Sequence, residues 1–265
     1  MPELPEVETI ANGLHRHVAG DRIESVWIGS KPEPLKSRPR DIVKTLEGAK
    51  VERVRRVGKH IVFDLEGGSQ WIVHLGMTGR MLIASPESEQ ARHTHLIARL
   101  TSGRELRFVD PRRFGRLEVR RESFQGPGSE PLKISSGDFQ RLFHKSKAAI
   151  KAALLNQKLL HGVGNIYADE SLFRAAIRPR RRAYALTRTE LSRLHTALQE
   201  VLKEAIAAGG SSVSDYVNAE GAAGLFQFQH QVYGRQSEPC SLCGTLIKKI
   251  VVGGRGTHYC PRCQR

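Results

Sequence analysis

Apolar residues recur at helical spacing from the start of the chain. Val7, Ile10, Leu14 and Val18 share one face, and Gly20 closes the run. Pro5 suits a first helical turn, where its missing N–H loses nothing, and Glu6 and Glu8 sit at the positive end of the helix dipole. The pattern then changes towards alternation. Residues 23–28, 51–65, 71–84, 95–100 and 105–109 read as strands, with 117–119 a last one and Thr101-Ser102-Gly103-Arg104 a hairpin turn. Such a succession predicts an antiparallel sandwich or barrel. The charged stretches 31–40 and 86–92 read as surface loops.

Residues 121–137, dense in Gly, Pro and Ser, read as a linker, and beyond it the period becomes helical. Helices are predicted over 138–143 and 147–155, around 171–173, and over 191–207. In the last, Thr187 and Glu190 form a capping box, Leu191, Leu194, Leu198, Val201, Leu202, Ala205 and Ile206 make one face, and Gly209 and Gly210 end it. Between two helices lies His161-Gly162-Val163-Gly164-Asn165-Ile166-Tyr167. It reads either as a helix–turn–helix corner or as a phosphate cradle, with amide N–H groups at a helix start.

Lys plus Arg number 42 against 27 Asp plus Glu, a net charge of +15 and a pI near 10.1. That excess suits a polyanion, nucleic acid above all, with an acidic membrane surface as the competing partner. A spanning apolar run and a basic-then-apolar leader are both missing from the pattern, so a soluble, cytoplasmic protein is expected. All four cysteines fall in the last 26 residues, unlike a secreted disulfide scaffold. Cys240-x-x-Cys243 and Cys260-x-x-Cys263 stand 16 residues apart, the spacing of two knuckles presenting four thiolates to one Zn²⁺. A tail this short buries little core, so zinc would supply its folding energy; with four cysteine ligands it would be structural. The stretch between the knuckles reads as a hairpin with Arg255 at its tip.

The first residues carry a chemical possibility. With Met1 removed, Pro2 becomes a secondary amine titrating near ~8, nucleophilic at neutral pH. Attack on a sugar carbon would give an iminium, an electron sink for later eliminations. Glu3, beside it, is placed to shuttle protons. A retained Met1 would block that amine.

Taken together, MPELPEVET at 1–9, GKH at 58–60, HLGMTGR at 74–80, DPRRFG at 110–115, KAAIK at 147–151, GVGNIYADESLF at 162–173, QVYGR at 231–235 and GRGTHYCPRC at 254–263 resemble the bacterial formamidopyrimidine-DNA glycosylases along essentially the whole chain. The resemblance implies an α+β multidomain fold: an N-terminal catalytic helix with an antiparallel β-sandwich, a helix–two-turns–helix domain, and a C-terminal zinc-finger hairpin. Boundaries at 1–130, 131–230 and 231–265 would separate them. It implies excision of oxidised purines such as 8-oxoguanine and formamidopyrimidines from duplex DNA, followed by β,δ-elimination at the abasic site through a Schiff base on Pro2. Glu3 would carry protons, Lys59 would serve β-elimination, and Arg255 would serve δ-elimination and phosphate binding. His74, Lys147 and Asn165 would hold phosphates around the lesion, and His93 and Arg112 match DNA-binding positions. Met77, Arg112 and Phe114 resemble the trio that fills the vacated stack. The run Arg178-Pro179-Arg180-Arg181-Arg182 would add sequence-independent attraction or stand as a solvated turn.

Residues 214–228 resemble the loop that caps an everted 8-oxoguanine, but Ala222, Ala223 and Leu225 make it bland, which loosens the expected substrate choice. Two alternatives remain: an endonuclease VIII-like glycosylase for oxidised pyrimidines, and a non-catalytic zinc-finger binder of damaged DNA. The DPRRF trio and the long capping segment favour the purine enzyme; intact Pro2, Glu3 and Lys59 oppose the binder. A monomer is the default expectation.

Overall fold

The computed structural model describes residues 1–213 and 216–265. Met1–Gln125 and Ala208–Leu225 form one compact unit, and Gly126–Ala207 and Phe226–Arg265 a second.

The first unit opens with α1 (Leu4–Val18). Its predicted face is buried to within 1% exposure at Val7, Ile10, Leu14 and Val18, each worth ~1.5–3 kcal/mol relative to exposure. In chain order follow β1 (Ile23–Ile28), α2 (Pro39–Leu46), β2 (Val51–Val57), β3 (His60–Leu65), β4 (Gln70–His74), β5 (Arg80–Ala84), β6 (Thr94–Leu100), β7 (Glu105–Val109) and β8 (Arg116–Arg120). They pair as two antiparallel four-stranded sheets, β1-β6-β7-β5 and β2-β3-β4-β8. One apolar cluster takes Phe63, Trp71 and Leu117 from one sheet, Leu96, Leu106 and Phe108 from the other, and the inner face of α1. Phe63 and Trp71 stack at 4.5 Å between ring centroids.

Three details depart from the pattern. The stretch 51–65 is two strands, because the chain reverses through Val57-Gly58-Lys59. The stretch 71–84 is likewise two, reversing through 75–79, where the Gly79 amide donates to the Leu75 carbonyl at 2.8 Å. A helix, α2, begins at the edge of the expected loop 31–40; Pro39 stands at its first turn, and only Ile42 and Leu46 are buried. Two apolar anchors in eight residues leave too weak a period to read.

In the second unit α3 (Ser136–His144) is capped by Ser135, whose Oγ accepts from the Asp138 amide at 3.1 Å. Then come α4 (Ile150–Leu154), α5 (Asn165–Arg174) and α6 (Arg188–Ala207). The capping box ahead of α6 is present: the Glu190 amide donates to Thr187 Oγ1 at 3.2 Å and the Thr187 amide to Glu190 Oε2 at 2.8 Å. α4 is shorter than its predicted span, since Ala149 is still extended as its N-cap. The chain ends in the hairpin of β9 (Lys248–Val252) and β10 (Arg255–Tyr259). Among the described residues, no helix is long and apolar enough to cross a membrane.

Candidate active site and zinc finger

Pro2 and Glu3 are both buried at the N-terminal end of α1, beneath an exposed Met1. Glu3 is the N-cap and shares a capping box with Glu6, whose Oε2 accepts from the Glu3 amide at 2.7 Å. The other Glu6 oxygen accepts from the Ser211 amide at 2.8 Å, so a carboxylate only 1% exposed joins the chain start to the segment 208–225. Within that segment the Tyr216 hydroxyl donates to the Gly209 carbonyl at 2.9 Å, and Ser212 Oγ accepts from the Gly224 amide at 2.9 Å. Burial, then the charge of Glu6, hold the Tyr216 hydroxyl well above the usual phenol range. Of the expected capping segment, Ser214 and Asp215 lie outside the described residues.

Lys59 is half-buried in the turn between β2 and β3. Arg56, whose side chain is 5% exposed, ties that turn to α1 by donating to Glu8 Oε2 at 2.6 Å and to the Gly58 carbonyl at 3.2 Å. The register pairs His60 with His74 and His74 with Arg116, a row of basic groups across β3, β4 and β8. Burial first, then His60, Lys59 and Arg116, lower the His74 pKa from 6.5 to about 4. His74 Nδ1 accepts from the Gly76 amide at 3.1 Å, which leaves Nε2 as the N–H of a neutral ring.

Met77 projects from the β4–β5 turn with 41% exposure, and Phe114 from the β7–β8 loop with 52%. Arg112 lies over the Phe114 ring, 4.8 Å from its centroid. His93 is exposed with φ 69°, just ahead of β6.

In the second unit, Asn165 is the first residue of α5, and its Nδ2 donates to the Gly256 carbonyl at 2.9 Å. Lys147 is exposed, and its carbonyl accepts from Arg182 at 3.0 Å. Arg255 is exposed at the hairpin tip, as its place in the sequence suggested. The arginine run is largely occupied by the protein itself: Arg178 donates to the Pro261 carbonyl at 3.0 Å and Arg181 to Glu190 at 2.5 Å. That guanidinium holds the Glu190 carboxyl down at about 2.

Sequence reasoning missed the buried charges behind these groups. Lys151 lies inside the KAAIK stretch with no exposure, its Nζ 2.7 Å from Asp169 Oδ1 and 2.9 Å from the Gly256 carbonyl. Glu170, next along α5, accepts from the amides of Gln231, Val232 and Tyr233 at 2.7–3.0 Å. Its burial pushes its pKa up.

The four cysteine sulfurs converge within 4.8 Å of one another, with Cys240–Cys263 at 3.9 Å and Cys243–Cys260 at 3.5 Å. Four sulfurs tetrahedral about one ion at the usual Zn–S length would stand ~3.8 Å apart. The Cys263 amide points to Cys260 Sγ at 3.4 Å, and Phe173, Val232 and Ile247 pack around the knuckles. The donor set fits one structural Zn²⁺ closed to further ligands.

Three family models match the chain: a formamidopyrimidine-DNA glycosylase N-terminal domain over residues 1–117, a formamidopyrimidine-DNA glycosylase H2TH domain over 126–217, and a zinc finger found in FPG and IleRS over 237–265. The formamidopyrimidine-DNA glycosylase of Desulfitobacterium hafniense is 44% identical over 273 residues, covering 100% of both chains. The solved complex of a Lactococcus lactis FPG mutant with Fapy-dG containing DNA superposes with a TM-score of 0.91 at 34% identity, again over 100% of both chains. The complex of Lactococcus lactis Fpg with an abasic site containing DNA superposes with a TM-score of 0.90 at 34% identity, over 99% of both.

Proposed function

The chain belongs to the formamidopyrimidine-DNA glycosylase family, and from that premise we propose that it excises oxidised purines from duplex DNA and then cleaves the resulting abasic site. The observation that carries the reading is the pairing of buried Pro2 and Glu3 at the positive end of α1. Freed of Met1, Pro2 presents a secondary amine directly beside the Glu3 carboxylate, a nucleophile next to a proton carrier.

The amine nitrogen forms a bond to C1′ of the damaged nucleotide, and the glycosidic bond breaks with its electrons leaving on the base. Protonated Glu3 gives one proton to the departing base, takes up the proton that the attacking amine loses, and passes that proton to O4′ as the C1′–O4′ bond breaks and the iminium forms. The iminium then draws electrons from C2′, whose proton is removed as the C3′–O bond breaks. A second elimination removes the C4′ proton as the C5′–O bond breaks, and water hydrolyses the remaining iminium to an aldehyde and frees Pro2. Lys59 assists the first elimination and Arg255 the second. His74, Lys147 and Asn165 hold phosphates, and His93 adds a contact to the DNA. Met77, Arg112 and Phe114 occupy the space left by the everted nucleotide, with the guanidinium reading the orphaned cytosine. Zinc, bound by Cys240, Cys243, Cys260 and Cys263, stiffens the hairpin bearing Arg255. The protein acts on chromosomal DNA in the bacterial cytoplasm.

Borohydride trapping on a duplex with one 8-oxoguanine opposite cytosine tests this directly. A covalent adduct with the processed protein, absent in Pro2→Gly, is expected. An oxidised pyrimidine and an abasic site run alongside would redirect the substrate assignment if they alone gave adducts. No adduct on any of the three would remove catalysis and leave a binder of damaged DNA.

A further inference from the structure

Asp110 stands at the end of β7, with no exposure, at the foot of the loop that carries Arg112 and Phe114. Its Oδ1 accepts from Thr78 Oγ1 at 2.6 Å and from the Arg112 amide at 3.2 Å, and its Oδ2 from the Gly115 amide at 2.7 Å. Its own amide donates to the His93 carbonyl at 3.0 Å, and its carbonyl lies 2.9 Å from His95 Nε2. One residue thus holds the β4–β5 turn that bears Met77, the β7–β8 loop, and the entry to β6. The two turns also meet directly: Gly76, at φ 62°, leaves no room for a Cβ, which would stand 2.5 Å from the Phe114 carbonyl carbon.

A wedge that opens a base stack must hold its shape against an unstacking cost of a few kcal/mol. Three exposed side chains on two separate turns hold it only if the turns move together. A buried carboxylate taking donors from both turns supplies that coupling, because each bond to an ionised acceptor is stronger than a neutral one. We propose that Asp110 is the positioning residue that makes Met77, Arg112 and Phe114 a single rigid wedge, and so sets how sharply the base opposite the lesion is discriminated. The inference rests on the glycosylase reading above.

The test compares two substrates in each protein. One is duplex DNA with 8-oxoguanine opposite cytosine or adenine, read as kcat/KM for excision. The other is single-stranded DNA with an abasic site, read as the rate of borohydride trapping, where no opposite strand engages the wedge. Asp110→Asn lowers the duplex value about tenfold or more relative to single-strand trapping, and Thr78→Val about threefold, the size expected for losing charge-assisted bonds. The preference for cytosine over adenine narrows in the same order. Wild-type ratios in both variants overturn the proposal, as do equal losses on both substrates, which would mark general unfolding. Should Asp110→Asn fail to fold, Thr78→Val alone decides by the same ratio. Wild-type protein that neither excises from the duplex nor is trapped on the single strand refutes the catalytic reading itself and takes this proposal with it.

Discussion

Lys151→Met removes the charge at the centre of the second unit while keeping the length and apolar bulk of the side chain. Lys151 and Asp169 are both 0% exposed and stand 2.7 Å apart. The same Nζ donates to the Gly256 carbonyl at 2.9 Å and to Thr257 Oγ1 at 2.8 Å, while the other Asp169 oxygen accepts from the His258 amide at 2.9 Å. The perturbation is therefore electrostatic, and it strands a buried carboxylate. Removing one partner of a buried pair costs ~3–5 kcal/mol, and each orphaned acceptor adds to that, so the second unit should lose about 4 kcal/mol.

The assay is chemical denaturation of zinc-loaded protein, with a probe in each unit so that the second unit's transition is resolved from the first. Lys151→Met should shift the second transition alone. Lys151→Met with Asp169→Asn removes both charges and keeps an acceptor for the His258 amide; it should regain at least half of the loss. A single variant within about 1 kcal/mol of wild type, or a double variant no better than the single, would refute the argument, since typical surface substitutions reach only ±0.5 kcal/mol. Arg255 sits one residue before Gly256. Loosening the Gly256 carbonyl should therefore also shift abasic-site products from δ- towards β-elimination ends.

Two further outcomes are expected. His74 folds with its pKa lowered from 6.5 to about 4. The unfolded ring thus takes up protons first, and the stability that the neutral ring contributes is complete above pH 6.5 and drains away as pH falls towards 4. NMR should find the ring uncharged at pH 6; His74→Gln should leave the salt slope of DNA binding unchanged, while Lys147→Ala should reduce it by about 0.9. A fall of that size in His74→Gln would show a charged imidazole at the phosphate. Chelating zinc from Cys240, Cys243, Cys260 and Cys263 should abolish the β9–β10 hairpin signal and leave the sandwich folded, because ~10–16 kcal/mol of binding energy is the folding energy of such a tail. Concerted loss of both signals would contradict that local role.

The parts of this molecule legible in its sequence are those whose partners are near along the chain or repeat at a fixed period. The face of α1, the capping box ahead of α6, the hairpin tip at Arg255 and the four cysteines each announce themselves within a few residues. Charged residues buried by distant partners do not. Glu6 reads as ordinary first-turn charge, yet the amide it accepts from belongs to Ser211, 205 positions away. Lys151 closes the short KAAIK stretch, yet Thr257, which it holds, lies 106 positions on. Asp110 opens the DPRRFG stretch, and its tie to Thr78 spans 32 positions. Local reading fails most instructively at Gly210. As a helix stop it needs only to break the period of α6. In the fold it takes φ 83° and packs so closely on Glu6 that a Cβ would stand 3.0 Å from the carboxylate. A glycine there serves the return of the chain to the first unit as much as the end of a helix. The residues that position chemistry in this protein are thus chosen for contacts that no local period encodes, while those expected to perform it lie in the short motifs that do.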